Sequence, residues 1–138
     1  MQTFLPYPDF YKSAKVLDYR RLGKQRVEAW QIYNMLTADW RKPKSRWYNH
    51  PAVQMWKGHE EALKLYYVVI VKEWISRGYK NNMEIPIVHT AHAHNPWWIG
   101  NYDFHISHQS NLVRKYPEHY GPIFGNIPEM PYFWPTKR

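Results

Sequence analysis

The chain has 138 residues, enough for one domain with a real core but not for two. It contains no cysteine, which excludes disulfides, thiolate metal sites and cysteine nucleophiles and suits a reducing interior. Nineteen Lys and Arg against eleven Asp and Glu leave a formal charge of +8, and 8 Trp, 12 Tyr and 5 Phe make the chain 18% aromatic. Cations release counterions from a phosphate backbone and flat rings stack on exposed bases. This balance therefore favours nucleic acid over an anionic membrane or an acidic protein as the partner.

The opening MQTFLPYPDF has no basic region followed by an apolar run, so no signal peptide is expected. The most apolar run, residues 63–75, is too short to span a membrane and carries Lys64, Lys72 and Glu73. A cytoplasmic protein without membrane contact is expected. No repeat or low-complexity segment breaks the chain, so residues 1–138 are read as a single domain.

In chain order, Pro6 and Pro8 mark an extended start, and Asp9 or Ser13 can cap a helix predicted to run to about Leu36. A polar, basic loop follows, TADWRKPKSRWYNH. Pro51 then opens a second helical region over 51–76, which Gly58 can interrupt and Gly78 caps. Residues 79–100, with Pro86, Pro96 and Gly100, read as irregular. A third helix is predicted over 102–115 and stopped by Pro117, and the Pro-rich, aromatic tail from Tyr116 is expected to wrap over the helices without forming one. Nothing alternates long enough for a sheet. The predicted class is all-α, three main helices with long Pro- and aromatic-rich connections.

Residues 17–31, LDYRRLGKQRVEAWQ, concentrate the charge. At helical periodicity Asp18, Arg21, Gln25 and Glu28 fall within roughly 80° of one another and form one polar stripe. Arg20, Lys24 and Arg26 point elsewhere, where phosphates can be met. Val16, Leu17, Leu22, Val27, Trp30, Ile32 and Leu36 spread around the remaining faces, so the helix is largely buried and a carboxylate on it is partly desolvated. The plainer alternative is a set of helix pairs, Asp18 with Arg21 and Gln25 with Glu28.

The histidines of HTAHAH (His89, His92, His94), with His105 and His108, match no metal-ligand spacing, and no metal is expected. Caps, phosphate contacts or buried hydrogen bonds suit them better. His50, His105 and His108 are kept as DNA-contact candidates, together with Arg114 and Lys115 at the end of the third predicted helix. Ring packing accounts for most of the aromatics, including PWW at 96–98. Arg46 and Trp47 of RWYNHP and the terminal PYFWPTKR, each beside cations, are the segments best placed to stack on DNA. No Ser–His–Asp order, P-loop or dinucleotide turn is present. Carboxylates, histidines, lysines and the α-amine are what remains for chemistry.

LDYRRLGKQRVEAWQ, taken with NHPAVQMWKGHEEALKLYY, KEWISRGYK and HISHQSNLVRKYPEHYGPIF, resembles the pyrimidine-dimer DNA glycosylase family, the endonuclease V type known from phages. The register sets Glu28 of VEA at the family's catalytic glutamate, with Val27 where the family usually has Arg; Asp18 is the second choice for the acid. The resemblance implies a compact three-helix monomer that needs no cofactor or metal and acts on double-stranded DNA containing a damaged base. It further implies that the N-terminal α-amine attacks the deoxyribose C1′, expels the base, holds the sugar as a Schiff base and nicks the strand by β-elimination. An α-amine is the least basic aliphatic amine of a chain, and nearby cations favour its neutral, nucleophilic form. The family's best-known members lose Met1 and expose a small residue, whereas Gln2 is large and hinders that removal. Met1 is therefore the expected nucleophile, with Gln2, Lys24 and Lys12 as alternatives.

Arg20, Arg21, Lys24, Gln25 and Arg26 are the expected contacts to kinked DNA, since a base inside a duplex is reached only by flipping or bending. The rival from another class is a non-catalytic module that binds bent or damaged DNA through the same residues. Another modified base in place of the dimer, and a histidine-based metal nuclease, are the remaining alternatives.

Overall fold

The computed structural model describes residues 1–135. Residues 1–5 form no helix or strand, and the Asp9 carboxylate accepts the Lys12 N–H at 3.0 Å to start α1 (Phe10–Val16). The single helix predicted to reach Leu36 is corrected here: the chain is extended at Leu17 and Asp18, and a new helix, α2 (Tyr19–Thr37), begins. The cause is Asp18 itself. Its carboxylate accepts the Arg21 N–H as an N-cap, and its own N–H donates to the Tyr120 hydroxyl at 3.0 Å, so its backbone leaves the helix to hold two partners.

Pro51 occupies the first turn of α3 (Pro51–Gln54), and Gly58, at φ +87°, separates it from α4 (Glu60–Ser76) as the sequence suggested. From Ala62 to Val71 nearly every residue of α4 is buried, Leu65 being the exception in class, so this is the central helix; α2 and α1 pack along it. Lys64 is buried too, because its ammonium meets Glu61 Oε1 at 2.8 Å and the Ile87 carbonyl at 3.2 Å. α2 closes onto α4 at Gly23, where a Cβ would sit 2.9 Å from the Trp74 ring.

Residues 79–100 are irregular apart from a 3-10 turn at Thr90–His92, as expected. Trp98 of PWW is core, edge-on to Trp56 at 4.9 Å. α5 (Tyr102–Lys115) has the predicted bounds, with Asn101 as its cap. The tail departs from expectation: Pro117 ends α5 and also opens α6 (Pro117–Phe124), since a proline at the first helical position gives up an N–H that has no partner there anyway. The wrapping segment begins after α6, where the N–H groups of Met130 and Phe133 donate to Ser110 and Ser107 Oγ, each at 3.0 Å. Among the described residues there are six α-helices and no strand, which makes the fold all-α with α2, α4 and α5 as its long members. No helix among them is long and apolar enough to cross a membrane.

Candidate active site

Polar groups inside a core must be paired, and here the pairing threads the first five residues between three helices. Gln25 on α2 is 1% exposed; its Oε1 accepts the Phe4 N–H at 2.9 Å and its Nε2 donates to the Gln2 carbonyl at 2.8 Å. From α4 the Tyr66 hydroxyl lies 2.8 Å from the Phe4 carbonyl and 2.7 Å from Gln25 Oε1. Burial, then the nearby Glu28 charge, push the Tyr66 pKa well above its ordinary value, so it stays a neutral donor. From α5, His105 Nδ1–H donates to the Leu5 carbonyl at 2.8 Å, its Nε2 accepting the Gly100 N–H, while His108 Nδ1 accepts the Leu5 N–H at 2.8 Å. The two imidazoles hold Leu5 as a neighbouring β-strand would.

This clamp sets residue 1 in the lining of a cleft of about 550 Å³. The α-amine of Met1 lies 3.9 Å from Glu28 Oε2, with side chains only 10% and 16% exposed. Glu28 stands one turn beyond Gln25 on the same stripe, so the residue that grips the N-terminal segment also sets the carboxylate against its end. Arg20, Arg21 and Lys24 from α2 and Lys115 from α5 line the cleft, as do His50, Phe4, Tyr132 and Trp134. The arrangement combines an amine, a partly desolvated carboxylate, a cationic rim and a ring-lined wall.

Of the residues singled out in the sequence, Met1, Gln2, Arg20, Arg21, Lys24, Glu28, His50 and Lys115 are brought together here. Several others are not. Gln25, His105 and His108 are buried, bond to the backbone of residues 2–5 and do not line the cleft, so they hold the segment that leads to it. Asp18 does not line this cleft: burial raises its pKa, but bonds from Tyr120 and Arg21 outweigh that and hold it below the usual carboxylate range, as a helix cap. Arg26 turns away, its guanidinium over the Trp74 ring at 4.6 Å and bonded to Asn81 Oδ1 at 2.7 Å. Arg114 is tied to Asn111 and to the Met130 carbonyl, holding the tail. Arg46 and Trp47 stay on the exposed loop, where Trp47 walls a smaller hollow that shares Met1. Lys12 is on α1 and absent from the cleft lining. The Lys137 and Arg138 of PYFWPTKR lie outside the described residues.

Tyr132 and Trp134 of PYFWPTKR, a segment the sequence singles out, line the cleft, whereas Phe4 beside them and the buried Tyr66 carry no sequence signal beyond aromatic character. Among the described residues no group of three or more His, Cys, Asp or Glu gathers as a metal site. His89 instead donates its backbone N–H to Glu61 at 3.0 Å.

No curated protein and no solved structure matches the chain. The profile of the pyrimidine dimer DNA glycosylase family matches residues 1–87, a stretch holding the N-terminal segment, α2 with Gln25 and Glu28, His50 and Tyr66, while Lys115, Tyr132 and Trp134 fall beyond it. With well over half of its length matched, the chain belongs to the pyrimidine dimer DNA glycosylase family.

Proposed function

We propose that the protein excises a damaged pyrimidine, in the first instance a pyrimidine dimer, from double-stranded DNA and then cleaves the strand as an abasic-site lyase, with the α-amine of Met1 as nucleophile. The observation that carries this reading is the 3.9 Å approach of that amine to Glu28 in the lining of a cationic cleft. The amine forms a bond to C1′ as the C1′–N bond breaks, and its surplus proton passes to Glu28. Glu28 gives that proton to O4′ as the C1′–O4′ bond breaks and the Schiff base forms, and then takes the C2′ proton as the 3′ phosphate leaves by β-elimination. Before it takes the amine's proton, the Glu28 carboxylate faces the positive charge that grows on C1′. Arg20, Arg21, Lys24 and Lys115 take the flanking phosphates. The scheme calls on no metal and on one copy of the chain.

Borohydride trapping tests this. The protein is incubated with reductant, EDTA and labelled duplex carrying a thymine dimer or an abasic site, and the cross-linked peptide is mapped by mass spectrometry. The expected adduct is on the amine of Met1, and Glu28→Gln should lower its yield from dimer DNA by about 10²-fold or more while DNA affinity stays within a few-fold. An adduct on Lys24, loss of cleavage in EDTA, or binding without any adduct would each refute the scheme.

A further inference from the structure

The cleft is polarised, and its neighbours show how. A basic hollow of about 570 Å³ shares Arg20, Arg21 and Lys115 with it. A smaller hollow of about 320 Å³ shares Met1, is walled by Trp47, and has none of those cations. His50 lines the cleft beside this second hollow, its ring edge-on to Trp47 at 5.8 Å and to Trp134 at 5.6 Å. The cleft therefore shares its cations with the first hollow, which Tyr19, Tyr79 and Tyr116 also line, while the His50 and Trp134 rings of the cleft stand together next to Trp47 of the second. A nucleotide has one part suited to each: its phosphates to the cationic end and its base to the ring-lined end.

His50 lines the cleft beside these rings and has one ring nitrogen, Nε2, without a hydrogen-bond partner among the described residues. As the N-cap of α3 it accepts the Ala52 N–H on Nδ1 at 3.0 Å. A neutral imidazole whose Nδ1 accepts carries its proton on Nε2. Burial, then the charge of the N-terminus, lower its pKa, which keeps the ring neutral. The result is a fixed N–H donor with its tautomer set by the backbone.

We propose that His50 is a catalytic residue of the base-excision step, its Nε2–H donating to the O2 carbonyl of the departing pyrimidine. The inference rests on the amine-nucleophile reading above. As the amine bonds to C1′ and the C1′–N1 bond breaks, the electron pair goes to N1 and spreads onto O2, and the amine's proton goes to Glu28. A preset donor on O2 stabilises that charge as it forms, and the base takes its own proton from solvent afterwards. The later β-elimination has no departing base and makes no use of this donor.

The test compares single-turnover trapping on two duplexes, one with a thymine dimer and one with a preformed abasic site. Two variants are used. His50→Ser keeps an oxygen to cap α3 but no donor that reaches the base, and His50→Gln keeps an N–H donor. The ratio of the dimer rate to the abasic rate should fall about 10²-fold in His50→Ser, the effect of losing one donor to a developing oxyanion, and recover in part in His50→Gln. A ratio equal to that of the unaltered protein would overturn the role, whether both rates fall together or neither moves. If the unaltered protein traps no abasic DNA at all, the amine-nucleophile reading fails first and this role fails with it.

Discussion

Acidification should loosen the clamp on the N-terminal segment, and His108 sets the size of the effect. Its imidazole is fully buried, accepts the Leu5 N–H on Nδ1 and leaves Nε2–H without a partner. Burial, then the neighbouring His105, push its pKa down to about 3 from the ordinary 6.5. Between those values the unfolded chain binds a proton that the folded chain does not, so the stabilisation is complete above the unfolded value and is lost as pH falls. At about 1.4 kcal/mol per unit, pH 5 lies roughly one and a half units below the unfolded pKa, and His108 alone should cost about 2 kcal/mol there relative to pH 7. Urea unfolding at both pH values measures the total, and His108→Asn isolates the share: Asn keeps an acceptor for Leu5 but does not titrate. The variant starts less stable, since it leaves a small void, yet its loss between pH 7 and pH 5 should be smaller than that of the unaltered protein by about 2 kcal/mol. Equal losses in the two proteins, or an NMR titration of the His108 ring near pH 6.5, would refute the argument.

Gly23→Ala should destabilise the fold, by about 1–3 kcal/mol in thermal or urea unfolding, although alanine is the better helix former. The added methyl meets a Trp74 ring that is held by Arg26, Tyr79 and the Lys80 carbonyl and cannot give way cheaply; a gain in stability would show that α2 and α4 are not so close. If the four cations of the cleft, Arg20, Arg21, Lys24 and Lys115, each neutralise one phosphate, affinity for duplex DNA should fall about 10²-fold between 50 and 200 mM salt. A flat salt profile in a fluorescence-anisotropy titration would place the DNA elsewhere.

Local signals in the sequence were read correctly where the chemistry that makes them is local. Pro51 as a helix opener, Gly58 as a break, Gly78 as a stop and the bounds of α5 follow from which residues cap or end a helix, and each appears where expected. The misreadings were also local, but double-valued. Pro117 ends one helix and starts another, and Asp18 suits both a helix-face ion pair and a cap; the choice lies with Tyr120, which is distant in sequence and accepts the Asp18 N–H.

The stripe carrying Gln25 and Glu28 was legible because helical periodicity is written into the spacing of residues on one element. That the two do different work was not. Gln25, expected among the DNA contacts, and His105 and His108, for which the sequence leaves phosphate contacts and buried hydrogen bonds both open, are buried against the first five residues, with bonds that join positions up to 103 apart in sequence. By itself the sequence determined the all-α class, the basic and aromatic character suited to nucleic acid, and the polar stripe that carries Glu28. Only the tertiary structure decided that the chain's own first residue lies beside Glu28, because residues 1–5, outside any helix, carry no periodic signature of their partners and are placed by whichever buried donors and acceptors of distant helices they satisfy.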